Sequence, residues 1–323
     1  MAGVLRREFL EAVVGAATML ARPSVAGAQA YPARPVRLVV GFAPGGVPDL
    51  VARLLGQWLS ARLGEPFVVE NHAGAASNLA LADVARAAPD GYTLFELSVA
   101  NAINVSLHPG ADIEGAIAPI ASIAHAAFMI VVSPTSSIKT VSALIDYAKT
   151  HLGKLNFGSS PTGTPPYLAV SLFKGMAHID VVQVPYRNSL QAVEELLSGR
   201  LDVAISHMSA IEYVKSGKLH ALAVTTAQRQ ATLPHIPSVA EFLPGYEATT
   251  WYGLGTAKAA PPEIIKAIST ATNAALADPH NAAHLTNLGL TVDRRSPAEF
   301  EKFITDETKK WAEVIKAANI KPQ

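Results

Sequence analysis

Cysteine is absent from this chain. Without a thiol there is no disulfide, no thiolate nucleophile, no cysteine-ligated zinc and no lipid on an N-terminal cysteine. Charge is scarce as well. Only 16% of residues are Asp, Glu, Lys or Arg, and they cancel to a formal net charge of zero. A nucleic-acid partner, which needs a basic face, is therefore not expected. No run is apolar for the roughly 20 residues that span a bilayer, so stable membrane insertion is not expected either. Catalytic signatures are missing: there is no G-x-S-x-G, H-E-x-x-H or G-x-x-x-x-G-K-[ST] pattern, and Gly253-Leu-Gly255 lacks the third glycine of a dinucleotide-binding turn. The ten histidines read as scattered, with no pair at helical metal-ligand spacing beside a carboxylate. No metal and no cofactor is expected, and the missing motifs speak against an enzyme.

What is present is a long, apolar, evenly punctuated chain. Its 323 residues, half of them hydrophobic, suffice for two domains of ordinary size. The first thirty residues read as a secretory signal: Arg6-Arg7-Glu8-Phe9-Leu10, an apolar run from Ala12 to Ala21, then small residues ending in Ala28-Gln29-Ala30. The paired arginines resemble a twin-arginine export signal. The periplasm is the expected location, with the mature chain beginning near Tyr31.

From there, strands and helices alternate. An apolar strand over 36–40 enters Phe42-Ala-Pro-Gly-Gly46 and a helix whose apolar residues recur at 51, 54, 55, 58, 59 and 63, stopped by Gly64. A strand over 67–70, a helix to about 88 and a strand over 92–97 complete the grammar of a parallel α/β sheet. Residues 98–115 read as polar and irregular. A long strand over 119–132 suits a crossing into a second α/β unit. That unit has helices over 141–151, 165–176 and 190–197 and strands over 155–157, 181–184, 201–205 and 219–224. A strand over 250–254 and helices over 262–276, 279–288 and 297–317 close the chain. The expected fold class is α/β with two lobes, each a mostly parallel sheet flanked by helices. Lobe 1 is residues 31–122 and 226–323, and lobe 2 is 123–225.

Three loops follow strand ends and carry small or hydroxylic residues: 42–49, 98–104 and 158–164. Ligands sit outside the carboxyl ends of parallel strands, where backbone N–H groups and helix dipoles favour an anion. Candidate ligand-binding residues are Phe42, Ala43, Pro44, Gly45, Gly46 and Asp49 in the first loop, and Ser98, Ala100 and Asn101 in the second. Ser159, Ser160, Gly163, Thr164, Tyr186, Ser206 and His207 are the candidates in the second lobe. Asp49 reads equally as an orienting acceptor or as a favourable charge in a first helical turn. Thr164 reads as a cap as well as a ligand, and His207 as structural as well as functional. Arg187 pairs either on the surface or with a ligand carboxylate. An exported hydrolase using Ser206, His207 or Ser159 is the enzymatic alternative.

Several motifs carry a resemblance. Tyr31-Pro-x-Arg-Pro-Val-Arg-Leu-Val-Val40, Phe42-Ala-Pro-Gly-Gly46, Val68-Val-Glu-Asn71, Ala88-Pro-Asp-Gly-Tyr-Thr-Leu94, Val184-Pro-Tyr-Arg187 and Leu222-Ala-Val-Thr-Thr226 resemble the substrate-binding proteins of tripartite tricarboxylate transporters, the Bug family. The resemblance covers the mature chain in order. It implies a type II-like Venus-flytrap binding protein, monomeric, that holds a small organic acid and passes it to membrane transporter subunits. It implies no catalysis and no cofactor. A receptor that presents the acid to a sensor without transport uses the same fold and differs only in its partner. The chain departs from the family pattern at Val47-Pro48, at Ala76-Ser77 in place of a glycine pair, at Pro165-Pro166-Tyr167 and at Asn188-Ser189. A tyrosine and prolines at the cleft suit an aromatic or longer acid.

Overall fold

Strand and helix alternate over most of the described residues, 31–230 and 233–321 of the computed structural model. Residues 1–33 and 34–323 are separate units. The expected signal segment lies outside the described residues, and every described strand and helix belongs to the second unit. β1 (Val36–Val40) feeds α1 (Val47–Leu63), which has Pro48 in its first turn and ends at Gly64 with φ 83°, a left-handed stop that suits glycine. Next come β2 (Phe67–Asn71), α2 (Asn78–Arg86), β3 (Thr93–Ser98), α3 (Val99–Leu107) and α4 (Ile113–Ala116). β1 lies between β2 and β3, parallel to both.

Residues 98–115, expected to be irregular, instead form α3 and α4. Val99, Ala102, Ile103 and Leu107 of α3 are buried at helical spacing. The polarity that reads as loop comes from Asn101 and Asn104, which are buried too. Asn101 donates to Ser77 Oγ at 3.3 Å, and Asn104 donates to Ala76 O at 2.6 Å and Asn78 Oδ1 at 3.2 Å. A partner far away in sequence satisfies them, so they are tolerated inside a helix.

β4 (Ile117–Val132) is a single strand of 16 residues. α5 (Val141–Thr150), β5 (Asn156–Ser159), α6 (Pro165–Ala177), β6 (Val182–Pro185), α7 (Ser189–Leu197), β7 (Val203–His207), α8 (Ile211–Lys215) and β8 (His220–Val224) come next. β9 (Thr249–Ala257), α9 (Pro262–Ala277), α10 (Pro279–Asn287), β10 (Thr291–Val292) and α11 (Pro297–Ala317) complete the chain. From Ile117 to Ala127, β4 pairs with β9; from Phe128 to Val132 it pairs with β7 and, from Met129, with β8. One strand thus serves two sheets. The strand order is β2-β1-β3-β9-β4-β7-β5-β6. The flanking trios β2-β1-β3 and β6-β5-β7 are parallel, as α/β alternation requires. The centre is antiparallel, because β9 returns between β3 and β4. The sheet is therefore mixed where a mostly parallel one was expected.

Gly253 and Gly255 owe their place to this packing. A Cβ at Gly253 would lie 2.2 Å from Phe300 Cζ, and one at Gly255 would lie 2.5 Å from Ile117 Cγ2. Where β4 changes partners, Thr225 ties the crossing segments together. Its N–H donates to Phe128 O, its Oγ1 accepts the Phe128 N–H at 2.7 Å, and its carbonyl accepts the Ala248 N–H. α11 packs on α3, β4 and α6. Trp251 and Trp311 both donate to the buried Glu307 carboxylate at 3.0 Å beneath it.

Candidate functional site

The first loop is held from within. Asp49 is 2% exposed. Its carboxylate accepts from Gly45 N, Arg53 Nε and Asn71 Nδ2, each at 2.9 Å. Burial alone would raise its pKa; the bonds from Arg53, Gly45 and Asn71, with the Arg53 charge, hold it below the ordinary carboxylate value. Asn71 also donates to Phe42 O at 3.0 Å. Asp49 is thus occupied by its own loop, and the Gly45 N–H points inward to it. Gly45 has φ +85° with open space around it, so glycine is there for the turn. No acceptor in the described chain takes the N–H groups of Gly46, Val47 and Asp49 at the start of α1; the first helical bond is Leu50 N to Gly46 O. Phe42 is half-buried, and Ala43, Pro44, Gly45 and Gly46 are exposed.

The second loop packs against the first. A Cβ at Gly41 would lie 1.9 Å from Ser77 Oγ, so only glycine lets these two turns meet. Ser77 accepts from Asn101, and Asn101 Oδ1 accepts the Ser98 N–H at 2.9 Å. Ser98 Oγ is buried without a partner among the described residues, and Ala100 is half-buried. The structure therefore brings 41–49, 71–78 and 98–101 together at the carboxyl ends of β1, β2 and β3.

The second half contributes a cavity of about 500 Å³. Ser160, Thr164, Ser206 and His207 line it, with Pro161, Pro165, Pro166, Arg187, Asn188, Ser189, Leu190, Ala210 and Tyr213. Ser159 and Gly163 are not in the lining. Tyr186 is not there either: it packs beside Gly158 on the core side of the strand. Burial and then the Glu195 carboxylate raise its phenol pKa. His207 opens onto the cavity, its ring edge-on to Phe128 with centroids 5.0 Å apart. The surrounding protein disfavours the imidazolium and lowers its pKa. No hydrogen bond links His207 to Ser206 or Ser159, and Ser159 Oγ donates to Ser160 O. Ser159, Ser206 and His207 thus do not form a nucleophile–base pair with one another.

Sequence alone leaves Arg187 undecided. In the structure no ion pair or hydrogen bond engages its guanidinium among the described residues. A larger cavity of about 740 Å³ lies around His125, Thr226, Glu247 and Leu290, but its cations are taken: Arg229 by Glu241 at 2.7 Å and Lys215 by Glu212 at 2.8 Å. His280 and His284, which read as scattered, stand one turn apart on α10 with Nε2 atoms 3.2 Å apart. The neighbouring Asp278 carboxylate caps the N–H groups of His280 and Asn281.

Loop clusters at the carboxyl ends of strands in two sheets, joined by one shared strand, define a two-lobed α/β solute-binding protein. The chain belongs to the tripartite tricarboxylate transporter family of receptors, which it matches over residues 51–320. It is 32% identical over 300 residues to the protein BugT of Bordetella pertussis, spanning 91% of this chain and 92% of the relative. Rpa4515 of R. palustris, solved with adipate, superimposes with a TM-score of 0.75 at 31% identity, covering 91% of this chain and 100% of its own. MatC of Rhodopseudomonas palustris, solved with bound malate, gives 0.71 at 28% identity, covering 88% and 100%. Among the described residues no helix is long and apolar enough to cross a membrane.

Proposed function

We propose that this chain is a periplasmic receptor that takes a carboxylated organic acid between its two lobes and delivers it to the membrane subunits of a tripartite transporter, without turning it over. The observation that carries this reading is the start of α1. Three N–H groups, at Gly46, Val47 and Asp49, lie without acceptors among the described residues at the positive end of a 17-residue helix. The Asp49–Arg53–Asn71 bonds fix the loop that presents them. Family membership and the acids bound to Rpa4515 and MatC support the ligand class. The partner exchange of β4 after Ala127 and the Thr225 crossing support lobes of residues 34–127 with 226–323, and 128–225. Rotation about those crossing segments closes the lobes, because a ligand touching both favours the closed state. Residues 1–30 act as the export signal, with Arg6-Arg7 directing it to the twin-arginine route.

Thermal shift against a panel of organic acids tests the reading. An acid at a hundredfold excess over its Kd adds about 2.7 kcal/mol of apparent stability. Gly46→Glu is expected to abolish the rise in Tm by placing a carboxylate at the donors. Gly46→Ala keeps it, since the new Cβ meets nothing nearer than Pro48 Cδ at 3.6 Å. An undiminished ligand response in Gly46→Glu overturns the assignment, and turnover of a bound acid overturns the receptor reading.

A further inference from the structure

The two lobes offer a ligand different chemistry. The first presents N–H groups. In the second, most of the hydroxyls expected to bind a carboxylate turn inward. Ser160 Oγ bonds Ser189 Oγ at 2.7 Å, Thr164 Oγ1 donates to Pro161 O at 2.6 Å, and Ser159 Oγ donates to Ser160 O at 3.2 Å. The start of α6 is equally poor in donors. Its first two residues are Pro165 and Pro166, which have no N–H, so of the first three positions only Tyr167 has one to give. Asn188 Oδ1 is occupied by the Gln191 N–H. The cavity wall is accordingly apolar, built from Pro161, Pro165, Pro166, Leu190, Ala210 and Tyr213. One cation borders it: Arg187, anchored at its backbone by N–H donation to Gln191 Oε1 at 3.2 Å, with its guanidinium unpaired among the described residues.

We infer that the ligand is a diacid with an apolar body, aromatic or several methylenes long: one carboxylate takes the α1 N–H groups, the body lies on the Pro165–Leu190–Tyr213 wall, and the second carboxylate is gripped by the Arg187 guanidinium. This inference rests on the receptor reading and narrows its ligand class. A guanidinium matches a carboxylate with two parallel N–H···O bonds, which a lysine cannot reproduce. An apolar body gains from leaving water against this wall. A short hydroxylated polyacid would leave hydroxyls and further carboxylates facing proline and leucine without partners, which costs affinity.

Titration calorimetry of the mature chain with 1,4-phenylenediacetate, adipate, malate and citrate tests this. Phenylenediacetate or adipate is expected to bind at least about tenfold more tightly than malate and citrate, about 1.4 kcal/mol. Arg187→Gln is expected to weaken the preferred acid at least about tenfold, with Arg187→Lys recovering only part and the Tm of each free variant unchanged. Leu190→Ser is expected to weaken phenylenediacetate and adipate while sparing malate. Tighter binding of malate or citrate overturns the inference and leaves the receptor reading standing. Equal binding by Arg187→Gln overturns the anchor. Failure of all four acids to bind overturns both.

Discussion

Glu96 is a carboxyl group with nothing to hold it. It is 1% exposed on β3, and neither of its oxygens has a hydrogen-bond partner among the described residues. Burial pushes its pKa up to about 8 from an ordinary 4.5. The titratable group that feels it is Tyr252, whose own pKa is raised to about 12, first by burial and then by the Glu96 charge. Because the folded value lies above the unfolded one, the folded state binds the proton more tightly. The resulting stability is fully present below pH 4.5 and is lost as pH rises to about 8. Each pH unit in that window costs about 1.4 kcal/mol. Glu96→Gln keeps the shape without the charge. Its Tm is expected to match the parent at pH 4.5 and to exceed it by several degrees at pH 9. Parallel Tm–pH curves for the two proteins would show Glu96 ionised and solvated in the fold.

Strain gathers in one short element, the turn before α2. Gly74, Ala75, Ala76 and Ser77 all have positive φ, at 148°, 45°, 51° and 80°. A left-handed residue other than glycine costs about 1–2 kcal/mol, offset here by the bonds from Asn101 and Asn104. Ala76→Gly is expected to raise stability by roughly 0.5–1 kcal/mol in urea denaturation, since it relieves φ and its exposed methyl contributes little. Ser77→Gly is not expected to gain, because it removes the hydroxyl that accepts from Asn101 and fills the space beside Gly41. Most elements are readable from apolar spacing and from Gly and Pro punctuation, and both loop clusters stand out by their glycine and hydroxyl content. α3 is hidden because Asn101 and Asn104 look like loop residues until their partners near Ser77 are in place. The aim of each hydroxyl is hidden for the same reason: Ser160 turns to Ser189, 29 residues on. Nothing local shows that pairing, or that the Arg187 guanidinium is left free among the described residues.

At the scale of the whole molecule, the halves are coupled through β4 and stapled at Thr225. Thr225→Val keeps the shape but removes the oxygen that accepts the buried Phe128 N–H. An unpaired buried donor costs about 1–3 kcal/mol. The loss is expected to appear as a lower Tm in a single transition, with near-ultraviolet and far-ultraviolet circular dichroism coinciding, because neither sheet is complete without the shared strand. Two separated transitions would mean that the halves unfold independently. The position of β9 also sets an order of events during synthesis. The strand that fills the gap between β3 and β4 spans Thr249–Ala257, more than a hundred residues after β4. A ribosome that has reached residue 248 has made β1 to β4 without the piece that joins β3 to β4. The amino-terminal lobe therefore waits for the last quarter of the chain, and a growing chain stays unfinished there until translation is nearly over.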